Sequence, residues 1–542
     1  MPARRWVDAA LVACLLLAPG ACIGRGDDPR PQSGGSIRIE GDEPASLDPA
    51  QANDPAETRI VRNIFRGLVR FDEHRGTIQP ASATKWEISS DARTFVFTLR
   101  SDGRFSNGEP VRAENFVRAF DRATAPSGSS PLTGLFSNMA GYPARRAGSA
   151  PTLSGVDALD EFTLRLTLIE PDAEFLNKLT HPVFSPVPSD STMRSRKPSW
   201  GEAPIGNGPW QMKEPWKHNE SIVLQPNPQY TGSDKPLLDE AVFVLLDDVN
   251  VSYDQWLAGN LDWTHIPTER LERVRAENPG QFITKVTPRL AFLVAFPATA
   301  PTNAPAFRQA VSLALDRGGL ARAAVPGGLA IAATGIVPPG VPGYRKPGPD
   351  ILAPCELCRY DAALAKRLVA ESGARPTLPL TINFTPIRDQ ARWTSAVAAA
   401  VKQALGINTQ TSSVRPLSDY VDALRRGQLQ GLAVFEVSMA TPSIDELLAS
   451  LFHSSAVGTT NLARYERRDV DGLIDAARAE PDDSERLELY QEAEDRVLQD
   501  LPIIPLWWTS EIRLARLSKF GGLGMDLFGD PTITTAFLKP GN

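Results

Sequence analysis

The chain has 542 residues, 42% of them hydrophobic and 22% charged, with a formal net charge of −7. That length calls for two lobes or more around a large core. The acidic balance argues against a basic, phosphate-tracking surface, so no nucleic-acid partner is expected.

At the N-terminus, Arg4 and Arg5 precede an apolar run from Ala9 to Leu17, followed by Pro19, Gly20, Ala21 and Cys22. This is the layout of a secretory signal over residues 1–21 whose cleavage leaves a cysteine first, although Asp8 and Pro19 depart from the usual pattern. Cys22 would then carry lipid and hold a folded body outside the cytoplasm, on the outer face of the membrane or in the periplasmic space. A plain secretory signal with an incidental Cys22 is the alternative. No later stretch reaches the roughly 20 apolar residues that a spanning helix needs. Residues 22–35 are polar and rich in Gly and Pro and read as a flexible tether, with the folded body starting at Ser36.

Ser36 to Glu40 alternates as a first strand, and Glu43 to Pro49 reads as a loop. Ile60, Ile64 and Leu68 stand at helical spacing in a helix over 57–68. Phe95, Phe97 and Leu99 share one face of a strand over 94–99. Arg104 to Glu109 reads as a turn, and Phe116 and Phe120 mark a core-facing helix over 112–120. Strands follow at 161–168, 222–225 and 241–246, with a short helix at 253–259. The apolar strand 292–296 and the helix 305–316 mark the crossing into a second lobe.

Helix 364–372 then precedes strand 380–384, and helix 392–405 precedes strand 409–413, which predicts an α/β lobe with a largely parallel sheet. A charged helix over 484–500 leads to a buried strand over 501–508. The resulting division is 36–290 for a first lobe, 291–508 for a second, and 509–542 for a return to the first.

Cys355 and Cys358 stand three apart, and zinc would need about four ligands. His74, His181, His218, His265 and His453 are scattered, and no second cysteine pair follows the signal region. A small structural disulfide is expected in an exported chain; two free thiols, or metal or redox chemistry, are the alternatives. Trp507 and Trp508 suggest core packing before an aromatic sugar platform. Asp316 and Arg317 read as a solvent-side ion pair, and Asp469, Asp471 and Asp475 as favourable charge at a helix start. No Gly-x-Gly-x-x-Gly after a strand, His-Glu-x-x-His or Gly-x-Ser-x-Gly is present, so no enzyme is expected, although a triad assembled from distant residues is invisible in letters.

Several segments, in order, resemble the extracellular solute-binding proteins of ABC importers, in the large peptide-binding group. They are Ser46-Leu47-Asp48-Pro49, the run Asn63 to Arg70, Pro80 to Ile88, and Phe105 to Val111. Gly206-Asn207-Gly208-Pro209-Trp210, Asn227-Pro228-Gln229-Tyr230, and Phe307 to Val311 with Ala314 to Arg317 continue the pattern. The resemblance runs from Ser36 to about Trp508. It implies an α/β, two-lobed, periplasmic-binding-protein-like fold of type II, with an extra domain inserted in the first lobe and a ligand enclosed between the lobes. It also implies a monomer that captures short peptides without a cofactor and delivers them to importer permease subunits.

Position by position, the resemblance carries ligand contacts onto Glu43, Pro44, Ala45, Ser46, Leu132, Phe435, Glu436, Val437, Ser438 and Thr441. The family places an Asp at the position of Ser438, where it receives a peptide's ammonium. A serine cannot neutralise that charge, so Glu436 takes the role after a loop shift or the ligand lacks a free amine. A solvent-facing Glu436, a core Phe435 and a helix-capping Thr441 are the plain alternatives. A non-peptide solute such as haem, a metal chelate or an oligosaccharide, or a surface sensor without transport, stays open on the same fold.

Overall fold

The computed structural model describes residues 31–126, 130–296, 300–348, 353–373, 378–387 and 389–541. The signal and Cys22 lie outside the described residues. Of the segment read as a tether, 31–35 is held by the body: Gln32 donates its N–H to Leu538 and Gly34 donates its own to Leu237. Among the described residues no helix is long and apolar enough to cross a membrane.

Two long strands organise the molecule. Phe282–Ala295 runs antiparallel to Ile503–Ala515, and together they cross from one hydrophobic core to the other. Their first-lobe ends pair Phe282 with Leu514 and Val286 with Ser510; their second-lobe ends pair Leu290 with Trp508 and Val294 with Ile503. Between Val286 and Leu290 the register shifts, leaving Thr287, Pro288 and Arg289 outside the regular ladder. Pro288 has no N–H to give, which suits it to such an interruption.

The sheet extends from this pair into both lobes. On the first-lobe side, Trp263–Thr264 joins Ile503–Ala515, and Ser36–Gly41, Glu240–Leu245, Ser221–Pro226 and Trp210–Met212 follow in order. On the second-lobe side, Leu432–Ser438 lies antiparallel to Phe282–Ala295, and Leu380–Phe384 and Thr409–Ser413 continue parallel to it. The sheet is therefore mixed: Ser36–Gly41 pairs parallel with both its neighbours and the three outermost second-lobe strands are parallel, while Glu240–Leu245, Ser221–Pro226 and Trp210–Met212 are antiparallel, as is the central pair, because the chain enters and leaves the second lobe in opposite directions.

The inserted unit has its own antiparallel sheet of Ala83–Ile88, Thr94–Leu99, Thr163–Thr167 and Val156–Ala158, covered by the helix Ala113–Ala123. Phe116 and Phe120 point into the core beneath it, beside Phe136 and Phe184.

The helix Pro55–Ile64 ends before Leu68, because Phe65 is extended. Its last turn meets the backbone of Gly206 and Gly208 so closely that a Cβ on either would lie 2.0 Å and 2.6 Å from the carbonyl oxygens of Ile64 and Asn63. Only glycine fits such an approach. Asn207 between them bonds Arg66 and Ser82.

Trp507 and Trp508 are core residues, edge-on to Trp393 and Tyr344. The Asp316–Arg317 expectation is corrected. Asp316 caps the next helix through the N–H of Gly319, while Arg317 is buried and donates to the carbonyls of Ser312, Cys358 and Pro505. Cys355 and Cys358 form a disulfide that closes a turn beside it. Asp469 lies in the first turn of the helix Arg468–Ala479 and pairs with Arg467 and Arg496.

Candidate binding cleft

A cavity of about 540 Å³ opens between the lobes next to the register shift. The first lobe contributes Asp54, Thr58, Arg62, His181, Phe528 and Asp530, and Arg289 comes from the hinge. The second lobe contributes an apolar wall of Ile387, Trp393, Leu417, Phe435 and Met439, together with the polar groups Gln390, Glu436 and Ser438. Ile387 and Leu417 are 37% and 44% exposed, high for aliphatic side chains facing a hollow. A second hollow of about 290 Å³ lies behind the first on the first-lobe side and shares Arg62, Phe528 and Asp530 with it.

Of the residues singled out from sequence, Phe435, Glu436 and Ser438 line this cavity. The strand Leu432–Ser438 carries them to the hinge, where Ser438 pairs with Arg289 and Phe435 with Phe292, whose rings lie 5.9 Å apart. Val437 packs against the second-lobe core instead. Thr441 is buried and donates its hydroxyl to Glu446, which also accepts the N–H groups of Ala440 and Thr441 at 2.7 and 2.9 Å. Its part here is to fix the turn after the strand.

The loop residues Glu43, Pro44, Ala45 and Ser46 and the more distant Leu132 do not line the cavity. Glu43 accepts from Asn219 at 3.0 Å and pairs with His218 at 2.7 Å. Ala45 donates to Glu57, Ser46 accepts from the N–H of Asp48, and Leu132 packs on the first-lobe core.

Arg62, His181, Arg289, Gln390, Phe528 and Asp530 were not marked by sequence reasoning. Glu436 accepts from the Thr509 hydroxyl at 2.8 Å and lies 3.5 Å from Arg289 Nε. Arg289 in turn donates to Glu511 at 3.0 Å. Burial pushes the Glu511 carboxyl up, but Arg513 and Arg289 outweigh it and hold the group down at about 2. Opposite, Asp530 pairs with Arg59 at 2.9 Å. Burial and then Asp530 push Asp526 up to about 7. Burial, with Arg62 nearby, pushes His181 down to about 3, so the ring is neutral at physiological pH. Gln390 is buried, and its Oε1 has no partner among the described residues. An acceptor left this way is costly unless something enters the cavity to meet it.

Behind the cleft floor the lobes share a buried ionic cluster. Lys178 donates to Asp172 at 2.6 Å and across to Asp445 at 2.9 Å. Arg478 and Tyr490 also donate to Asp445, at 2.7 and 3.1 Å. Arg486 and Ser443 donate to Glu174, at 2.9 and 3.0 Å. Three carboxylates face three cations, so the cluster is neutral as a whole.

The family profile described as "Bacterial extracellular solute-binding proteins, family 5 Middle" matches residues 77–459. Over 88% of both chains, the sequence is 29% identical to a probable deoxycholate-binding periplasmic protein, YgiS, of Escherichia coli. It is also 29% identical to the periplasmic oligopeptide-binding protein OppA of Salmonella typhimurium over 90% of both. Identity to the periplasmic murein peptide-binding protein MppA of Escherichia coli is 30%, over 89% of this chain and 88% of that protein.

Two solved structures of MppA are similar over nearly the whole chain. The one titled as the unliganded open form superimposes with a TM-score of 0.82 at 26% identity, covering 94% of this chain and 97% of the other. A second, titled as the murein tripeptide binding protein, gives 0.67 at 27% identity and covers 94% and 99%.

Proposed function

The chain belongs to the family 5 bacterial extracellular solute-binding proteins, and we propose that it captures short peptides between its lobes and hands them to the permease of an ABC importer. The observation that carries the reading is the interlobe cavity of about 540 Å³, lined by polar groups from both lobes and bordered by an apolar wall. Its size falls within the ~300–1,000 Å³ typical of ligand sites. Relatives named as peptide-binding proteins at 29% and 30% identity support peptide as the cargo.

The mechanism needs no bond chemistry. A ligand that touches Asp54 and Thr58 on one side and Phe435 and Gln390 on the other gains its second set of contacts only when the lobes approach. Closure is therefore favoured by the ligand's differential affinity for the closed form. An extended peptide brings carbonyls that suit the Ser438 hydroxyl at the cavity wall. Closing also removes Ile387 and Leu417 from water, which adds an apolar contribution independent of peptide sequence. In this reading Cys22 carries the lipid that keeps the protein beside its permease, on the outer face of the cytoplasmic membrane or in the periplasmic space.

Ser438 favours a second reading. Where the peptide-binding group places an acid for a ligand ammonium, this chain has a hydroxyl, and one relative is named for deoxycholate. Native mass spectrometry of the purified full chain, mixed with a peptide pool and separately with deoxycholate, divides the two. Short peptides retained in the complex are expected. Retention of deoxycholate alone moves the cargo to non-peptide solutes.

A further inference from the structure

We propose that Arg62 and His181 form an anion-reading end of the cleft that takes a carboxylate of the ligand. This rests on the interlobe cavity being the cargo site.

Two of the cavity's carboxylates stand beside cations. Asp530 pairs with Arg59 at 2.9 Å. Glu436 is held by Thr509 and Arg289. Asp54 caps the helix Pro55–Ile64, accepting from the N–H groups of Ala56 and Glu57 at 2.8 and 3.2 Å. Asp54 differs from these two: both cap bonds go to its Oδ1, and it has no cationic partner among the described residues.

The Arg62 guanidinium lies over the Phe528 ring, 4.0 Å from the centroid, and donates no hydrogen bond to any described residue. The carboxylates nearest to it, Asp526 and Asp530, stand 3.8 and 3.7 Å away, beyond good hydrogen-bond length. The neighbouring Arg59 already neutralises Asp530, and Asp526 is pushed toward its neutral form by burial and by Asp530. Arg62 is thus a cation with idle donors at the junction of both hollows. Phe528 covers one face of its plane, and a guanidinium without a hydrogen bond can take a ligand carboxylate through its N–H fork.

His181 supplies the second donor. It is 4% exposed and lines the same cavity. Its Nδ1 accepts the N–H of Val183 at 3.2 Å, which places the ring proton on Nε2. That Nε2–H has no protein partner among the described residues. A neutral donor beside a guanidinium adds a directed hydrogen bond without a second charge to desolvate. The cargo class that follows is a molecule with a free carboxylate and an apolar body for the wall of Ile387, Leu417 and Phe435.

Isothermal titration of the full chain with trileucine, N-acetyl-trileucine and trileucine amide tests this. Amidation is expected to lower affinity by about tenfold or more, and the acetylated peptide separates this from any contribution of the amine. In Arg62→Gln the acid-to-amide ratio should collapse toward one while the melting temperature holds. Arg62→Lys, which keeps the charge but loses the fork, should fall between, and His181→Gln should narrow the ratio in part. Trileucine and its amide bound equally well, or an unchanged ratio in Arg62→Gln, would each overturn the subsite while leaving the peptide reading in place. Failure of all three to bind would remove the peptide reading and the subsite with it.

Discussion

Two of the seams between the lobes are made of different material. At the hinge, two strands cross side by side, the contact is main-chain ladder, and the ladder is interrupted at Thr287, Pro288 and Arg289. Behind the cleft floor, the contact is six charged side chains in a buried, neutral cluster. A ladder with a gap bends at the gap at little cost. A buried ion pair does not stretch, because separation leaves each charge unpaired in a poor solvent. Opening and closing that keep both seams intact are restricted to a rotation pivoting on them, so the contrast explains how a cleft can shut without the lobes sliding past each other.

The largest expected effect comes from breaking the ionic seam. Asp445→Ala leaves Lys178 and Arg478 without their shared partner, and a loss of about 3–5 kcal/mol in urea unfolding is expected. A loss below about 1 kcal/mol would remove the distinction between the seams.

The hinge is tested next through acid. The Glu40 carboxyl is raised by burial, but His265 and Thr264 outweigh this and hold it at about 2, like Glu511, against an ordinary value of 4.5. Both pKa values are depressed in the folded state, so their stabilisation is full above about pH 4.5 and is lost as pH falls from 4.5 toward 2. Glu511→Gln should cost about 2 kcal/mol at pH 7, with the difference from wild type shrinking toward pH 2, followed as melting temperature against pH. A pH-independent deficit would mean that Glu511 acts by shape rather than charge.

Two controls lie away from both seams. Replacing Cys355 and Cys358 together by Ser opens a loop of only four residues and should cost at most about 2 kcal/mol, with peptide affinity unchanged by titration calorimetry. Arg165→Ala breaks a surface pair with Asp157 in which both side chains are more than 40% exposed, and a change within about 0.5 kcal/mol is expected by thermal melting.

The sequence carries the local parts of this molecule well and the meeting points poorly. Period-two strands such as 94–99 and 409–413 and the long helix at 390–405 follow from their own residues, because each hides one face. Mixed pairing at the centre was hidden, since it depends on the direction of two crossings 200 residues apart in the chain. In the cleft, Phe435, Glu436 and Ser438 were legible because they share one strand end. Arg62 reads in isolation as the solvent side of an amphipathic helix, and His181 as one of five scattered histidines. Only the fold brings them beside Phe528, at the far end of the chain. Arg317 misled for a related reason: its partners are backbone carbonyls, which no side-chain pattern announces.

The pairing of Leu290 with Trp508 means that the chain departs for the distal lobe and comes home at a single spot. That lobe is a cassette with adjoining ends, and it carries Phe435, Gln390 and Ser438, whereas Arg62 and His181 stay on the chassis. Grafting the corresponding stretch of a relative at these two junctions should exchange the apolar and amide half of recognition while the carboxylate requirement stays behind.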